Sequence, residues 1–275
     1  MTSPSKRHTV PPYAWGFVAA VVLLWGLVAT VEVLSLRNLS PLQFSAWTTI
    51  SGAATVFLYL AVRGRASSLF RYGVIDHLKL IVISLLGFGL YFFLKYTAYS
   101  TSPVAEASVL QSTYMVFIAL FAIPILGQDA PPAKLFGIFI GFAGAALIIS
   151  GGSLTGFNTA FLPGYLCALG AGISFGLFSN LSEKTGHDHT SALFYYHAYS
   201  AIGITAFLAF RGDFVMPSGV GEISGILYNG PLANALGIFL WLAAQRAAHD
   251  VSLLTSLLYL DRKSTRLNSS HGKLS

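Results

Sequence analysis

The sequence predicts an all-α integral membrane protein that crosses the bilayer many times. Hydrophobic residues make up 55% of the chain and charged residues only 9%, whereas an ordinary soluble domain is about a quarter charged. Mean hydropathy is +0.68. The apolar residues also fall in long unbroken runs, without the alternation that short barrel strands show, which selects helices as the spanning element.

A helix rises about 1.5 Å per residue and the hydrocarbon core is about 30 Å thick, so one crossing takes roughly 20 mostly apolar residues. By that ruler residues 13–36 form the first span. Lys6 and Arg7 precede it, but its apolar run is longer than the roughly 7–15 residues of a secretory leader, so it is expected to stay in the membrane. The second span, 41–62, opens on Ser40-Pro41-Leu42. The third covers 78–99, and a small-residue connection leads directly into the fourth, 104–127. The fifth covers 134–150, where Gly137, Gly141 and Gly144 form a ladder expected to act as a packing seam. The sixth, seventh and eighth cover 163–181, 191–210 and 224–247, and a ninth begins at Val251 and stops short at Leu260. Pro124 and Pro231 are expected to kink the fourth and eighth spans.

The formal charge of +6 and pI near 9.4 do not indicate nucleic-acid binding, because the basic residues stand singly between apolar runs and form no patch. They follow the positive-inside rule instead. With a cytoplasmic N-terminus, the inner segments hold Lys6, Arg7, Arg63, Arg65, Arg71, Lys79, Lys134, Lys184 and Arg246, and the outer loops only Arg37 and Arg211. A multi-pass protein of the bacterial inner membrane is therefore expected. The single cysteine, Cys167, can build neither a disulfide nor a thiolate metal site, and no cofactor or metal ligand set is evident.

The connection between spans three and four, running from Ala98 through Ala105 to Leu110, is echoed by Ala243 through Leu254 between spans eight and nine. Matching pieces five spans apart enter the membrane in opposite senses, the inverted-repeat plan of secondary transporters. The expected division is a cytoplasmic segment 1–12, a first repeat 13–150, an outer linker 151–162, and an incomplete second repeat 163–260. The stretch 261–275 is polar and basic and is read as foreign to the fold.

Trp25-Gly26, Ser40-Pro41-Leu42, Ala105-Glu106-Ala107-Ser108-Val109-Leu110, Gly127-Gln128-Asp129 and the Gly137, Gly141, Gly144 ladder, in this order and spacing, make the chain resemble the drug/metabolite transporter superfamily of EamA type. That resemblance implies ten helices in two inverted five-helix repeats, of which about nine are present here, and transport of a small molecule. The Ala-Glu-Ala-Ser opening of span four resembles the amino-acid-exporting branch, which includes exporters of aromatic amino acids. Two departures stand out. Trp47 and Thr48 occupy the region where many relatives carry an Arg, and Tyr114-Met115 stands where many carry a Pro.

Ionisable groups within spans cost at least about 2.5–3.5 kcal/mol at the centre and are functional candidates by default. Glu32 shares a helical face with Trp25 and Ala29; it can bind an amine or exchange protons there, or reach water at the outer end of its helix. Lys95 lies on a stripe with Gly87, Tyr91 and Tyr99 and is expected to snorkel toward the interface. Glu106 opens span four, where first-turn amides favour a carboxylate. His197 is the most central ionisable group, read as a neutral His bonded to a neighbouring helix or as a proton carrier. Gln111, Asn234 and Trp241 add neutral hydrogen-bonding and stacking groups, and Asn234, Gly237 and Trp241 share a face.

Tyr13, Trp15 and Tyr72 are expected as interface anchors. The deeper rings are a different matter: a cavity lined by aromatics with few charges suits amino acids or similar small metabolites. The leading expectation is a secondary transporter working by alternating access, exporting such a solute and coupled to protons. No phosphate-binding loop is present for ATP drive. An intramembrane enzyme lacks its nucleophile and metal motifs, and a non-transporting scaffold is the third reading.

Overall fold

The computed structural model describes residues 12–129, 131–149 and 159–248. The segment 1–11, most of the linker 151–162, the ninth span 251–260 and the stretch 261–275 lie outside the described residues. Within them every regular element is helical, and the chain is an all-α membrane protein. Seven helices are long and apolar enough to cross a bilayer.

Helix α1 is formed by Pro12–Gly26 and Val28–Ser35, with a break at Leu27. Helix α2, Pro41–Val62, starts where a capping box says it should. The Ser40 hydroxyl accepts from the Gln43 backbone N–H at 3.3 Å, and the Gln43 carboxamide accepts from the Ser40 N–H at 2.9 Å. Pro41 at the first helical position has no amide to leave unbonded. A left-handed Gly64, φ +66°, lies beyond its end.

Helix α3 runs through Val74–Ser84, a π-helical segment Leu85–Leu90, and Tyr91–Thr101. It starts four residues before the apolar run predicts, because the Asp76 carboxylate accepts from the Gly73 N–H at 3.3 Å and supports a polar first turn. Helix α4 comprises Val104–Gln111 and Tyr114–Leu126, interrupted at Ser112 and Thr113. The interruption lies there and not at Pro124, which sits in the last turn of a helix that is continuous from Tyr114. Helix α5, Pro132–Ile149, has 18 residues, at the short end of the range for a crossing helix.

Helices α6, Leu162–Thr185, and α7, His189–Arg211, are continuous. Asp188 caps α7 by accepting from the Ser191 N–H at 3.0 Å. Helix α8 runs through Val220–Leu227, a π-helical segment Tyr228–Leu236 that contains Pro231, and Gly237–Ala248. It too begins four residues early, since Glu222 accepts from the N–H groups of Ser218 and Gly219 at 2.9 and 3.3 Å.

The main packing pairs are α2 with α7, α4 with α6, α3 with α6, and α1 with α8. The last two correspond under a shift of five helices, as do the contacts of α2 with α8 and of α7 with α3. Close approach depends on missing side chains. A Cβ on Gly52 of α2 would lie 2.1 Å from the His197 ring of α7, and one on Gly176 of α6 would lie 2.6 Å from Phe117 of α4. Among the described residues, Gly141 of the α5 ladder meets Val116, whereas a Cβ on Gly137 or Gly144 would meet nothing within 4 Å.

Polar side chains are buried among a larger apolar core, and large apolar side chains cover the outside. Ser45, Thr48, Thr49, Ser84, Ser179 and Asn229 are fully buried, while Phe139 and Phe210 are 68% and 92% exposed.

Candidate functional site

A cavity of about 300 Å³ lies between α1, α3 and α4 on one side and α6 and α8 on the other. It occupies the half of the bundle near the C-terminal ends of α1 and α3 and the start of α4. Its floor and walls come from Trp25, Tyr91, Lys95, Gln111, Tyr114 and Phe175. Asn234 also reaches it, and Lys95 is the one charged residue in its lining.

Lys95 does not snorkel. Its ammonium is 2.6 Å from a carboxylate oxygen of Glu32, Lys95 is 3% exposed, and Glu32 is 0% exposed. The reason is enclosure: the ammonium stands 5.3, 5.0 and 4.8 Å from the ring centres of Tyr91, Phe92 and Tyr96, a cation-π cage that a charged head can occupy when a counter-ion completes it. Glu32 accordingly does not reach water. Its second oxygen, the Tyr96 hydroxyl and the Asn234 amide nitrogen make no hydrogen bond of good geometry among the described residues, although Tyr96 is in polar contact with Glu32. Thr48 and Asn234 both stand next to Tyr96.

A short polar chain runs along the wall. The Gln111 amide donates to the Tyr91 hydroxyl at 3.0 Å, and the Tyr99 hydroxyl donates to the Gln111 carbonyl oxygen at 3.5 Å. Opposite it, Trp25 is held on every side but the one that faces the cavity. Its indole N–H donates to the Ala233 carbonyl at 3.0 Å. Its ring meets Tyr114 and Phe175 edge-on at 6.4 and 6.3 Å, and Trp241 at 6.1 Å. Gly237 makes this possible, since a Cβ there would lie 2.6 Å from the indole nitrogen. Trp241 is fully buried behind Trp25 and does not line the cavity.

Glu106 and His197 fall outside the cavity. Glu106 accepts from the Tyr165 hydroxyl and ties α4 to α6. His197 is fully buried against Gly52, with its ring centre 4.4 Å from that of Phe88. Its Nδ1 bonds the Leu193 carbonyl on its own helix at 3.0 Å, not a neighbouring helix.

The other half of the bundle is closed. Phe88, Phe178 and Tyr196 pack at 5.2–6.0 Å between ring centres, and Ser84 bonds Ser200 at 2.8 Å. Beyond them the connection between α2 and α3 is tied to the start of α7. Arg65 pairs with Asp188 at 3.0 Å, Ser68 bonds Ser191 at 2.8 Å, and the Tyr195 hydroxyl donates to the Leu69 carbonyl at 2.5 Å. Partial burial raises the Asp188 carboxyl, but the Ser191 N–H and hydroxyl and the Arg65 guanidinium outweigh it and hold Asp188 below the usual range. Tyr72, expected as an interface anchor, belongs to this closed end, with its ring 5.0 Å from His187 and 5.6 Å from Tyr195.

Of the residues singled out from sequence, Trp25, Tyr91, Lys95, Gln111 and Asn234 line the cavity, with Glu32 and Trp241 directly behind it. Tyr96, Tyr99, Tyr114 and Phe175 were not singled out. Tyr99 lies one turn beyond Lys95 on the stripe already recognised. Phe175 was legible only through the repeat: Trp25 and Phe175 each lie 13 residues after the first residue of their helices, Pro12 and Leu162.

Comparison with known proteins bears on what such a cavity serves. The family model described as the EamA-like transporter family matches residues 13–150, half of the chain. A transporter of Archaeoglobus fulgidus, itself uncharacterised, is 24% identical over 254 residues, 90% of this chain and 83% of the relative. The aromatic amino acid exporter YddG of Ancylobacter novellus is 30% identical over 173 residues, 62% of this chain and 57% of the relative. The pseudopaline exporter CntI of Pseudomonas aeruginosa is 26% identical over 205 residues, 74% of this chain and 69% of the relative. A solved crystal structure matches the fold with a TM-score of 0.68 at 23% identity, covering 90% of this chain and 84% of its own. The chain is therefore a multi-pass membrane transporter and not an enzyme, and it belongs to the EamA-like transporter family.

Proposed function

We propose that this protein exports an amino acid or a closely related small metabolite across the bacterial inner membrane by alternating access, driven by the proton gradient. The observation that carries the reading is the position of the cavity. It is shared between helices of residues 13–150 and helices of residues 163–260, open space lies in one half of the bundle, and packed rings fill the other. Two inverted repeats rocking about a shared site would exchange these two halves. A volume of about 300 Å³ is at the lower end of ligand pockets and suits a solute of amino-acid size.

The resemblance of the Ala105-Glu106-Ala107-Ser108 opening to the amino-acid-exporting branch and the match to an aromatic amino acid exporter support the substrate class. The basic residues support a cytoplasmic N-terminus. Arg63, Arg65, Arg71 and Lys184 all lie at the closed end, which is then the cytoplasmic one.

Full-length protein reconstituted in liposomes is expected to show saturable counterflow of labelled phenylalanine or tryptophan, accelerated by an imposed pH gradient. Absence of saturable flux for every ring-bearing amino acid would remove the substrate assignment, and flux indifferent to the gradient would remove the coupling.

A further inference from the structure

We infer that the Glu32–Lys95 ion pair is the recognition point for an amino-acid zwitterion, which opens the pair and inserts between its charges. This rests on the reading of the cavity as an amino-acid site and names the groups that would hold the two charged ends.

The pair is under-satisfied for its surroundings. A buried ion pair is tolerated when the remaining lone pairs and protons also find partners, and the requirement is stricter where lipid replaces water. Here one carboxylate oxygen of Glu32, the Tyr96 hydroxyl and the Asn234 amide nitrogen are all buried and make only loose polar contacts, with one another and with Thr48, none of good hydrogen-bond geometry. They stand around one pair, and the Lys95 side chain and Asn234 both face the cavity. These are the groups that an ammonium and a carboxylate arriving together would use. The lysine stem has four rotatable carbons, so its head can turn from Glu32 toward the cavity without backbone movement.

The charge arithmetic selects the ligand. A zwitterion places its carboxylate on Lys95 and its ammonium on Glu32, and the site stays neutral with both protein charges paired. A ligand with a carboxylate alone draws Lys95 away and leaves Glu32 buried and unpaired. An amine alone leaves Lys95 in the same position. Rejection of the truncated ligand by a stranded buried charge is a strong source of specificity. The walls then set the side chain: Trp25, Tyr114 and Phe175 present ring edges and faces across from Lys95, a surface for an apolar or aromatic group.

The test uses purified full-length protein and three ligands that share one ring: L-phenylalanine, phenylethylamine without the carboxylate, and 3-phenylpropionate without the amine. Equilibrium binding to the native protein is expected to favour phenylalanine by about ten-fold or more over each truncated ligand, the usual scale for an unpaired buried charge. Lys95→Gln is expected to weaken phenylalanine by a similar factor while tightening phenylethylamine, which then strands no lysine, and Glu32→Gln to tighten 3-phenylpropionate in the same way. The ligand series on the native protein decides the matter even where a variant does not fold, and Glu32→Lys combined with Lys95→Glu keeps a pair in place as a folding control. Equal affinity for all three ligands, or equal loss of phenylalanine and phenylethylamine in Lys95→Gln, would overturn the inference while leaving saturable phenylalanine transport intact. Absence of both binding and transport of phenylalanine would overturn the amino-acid reading together with it.

Discussion

Gly237→Ala is the sharpest single perturbation of the cavity. The added methyl would lie 2.6 Å from the Trp25 indole nitrogen and 3.4 Å from its Cδ1. The ring is held by Tyr114, Phe175 and Trp241, and its one open side is the cavity, so a displaced indole would move into the binding space. Two costs follow. Overpacking a filled site costs about 1–3 kcal/mol, and pulling the indole off the Ala233 carbonyl leaves a buried donor or acceptor unmet, at about 1–3 kcal/mol. Some of this is shared, so a loss of about 2–4 kcal/mol is expected, on the same principles. It should appear as a lower midpoint in thermal unfolding followed by size-exclusion recovery in detergent, with weaker binding of the ring-bearing solute in the fraction that survives. Trp25→Phe separates the two costs, since it removes the N–H but keeps a ring, and should lose about 1 kcal/mol. Wild-type stability and wild-type transport in Gly237→Ala would refute the claim that Gly237 seats Trp25.

Gly52→Ala should be severely destabilising, since its Cβ would sit 2.1 Å from the buried His197 ring, whereas Gly144→Ala meets nothing and should be neutral or stabilising; parallel expression and melting of the two variants checks this. Ser40→Ala removes the capping box of α2 and should cost about 1 kcal/mol, read in the same melting assay. Asp188 is held below the usual carboxyl range in the folded protein, so its stabilising effect is complete above the pH at which an unfolded Asp ionises, about 4, and is lost as pH falls through the lower folded value. Acidification below about pH 4 should therefore loosen the closed end. Asp188→Asn should flatten that pH dependence in a melting series, with an effect under about 1 kcal/mol, because the Arg65 pair is half exposed.

Hydropathy located every described helix because burial in lipid leaves a long, unbroken signature. The ends are less legible where a polar first turn extends a helix outward. Asp76 and Glu222 each cap a helix four residues before its apolar run begins, and a ruler that counts apolar residues stops short of them. The two π-helical segments left no periodic trace, since one widened turn barely shifts the pattern of a helix that is apolar on most faces. Lys95 is expected at the water interface and Glu32 either there or inside, for one reason: taken singly, a charge near a helix end is readily explained by water. Two lone charges of opposite sign at similar depth are better explained by each other. Phe175 stayed invisible because an aromatic in an apolar helix carries no distinguishing mark until the matching position of Trp25 is considered.

The two π-helical segments connect the repeat to the site. Each widened turn carries a carbonyl that also accepts a side-chain donor from a neighbouring helix. In α3 it is the Leu86 carbonyl, which accepts from the Tyr91 N–H within the helix and from the Ser174 hydroxyl of α6 at 2.7 Å. In α8 it is the Ala233 carbonyl, which accepts from Trp25 of α1 at 3.0 Å. Ser174 and Trp25 thus perform the same task from corresponding helices of opposite halves, yet with different side chains. The small hydroxyl lets α3 and α6 close together around Phe178, and the large indole props α1 from α8 and borders the cavity. This difference in side chains goes with the open space beside Trp25 and the packed rings of Phe88, Phe178 and Tyr196 near Ser174.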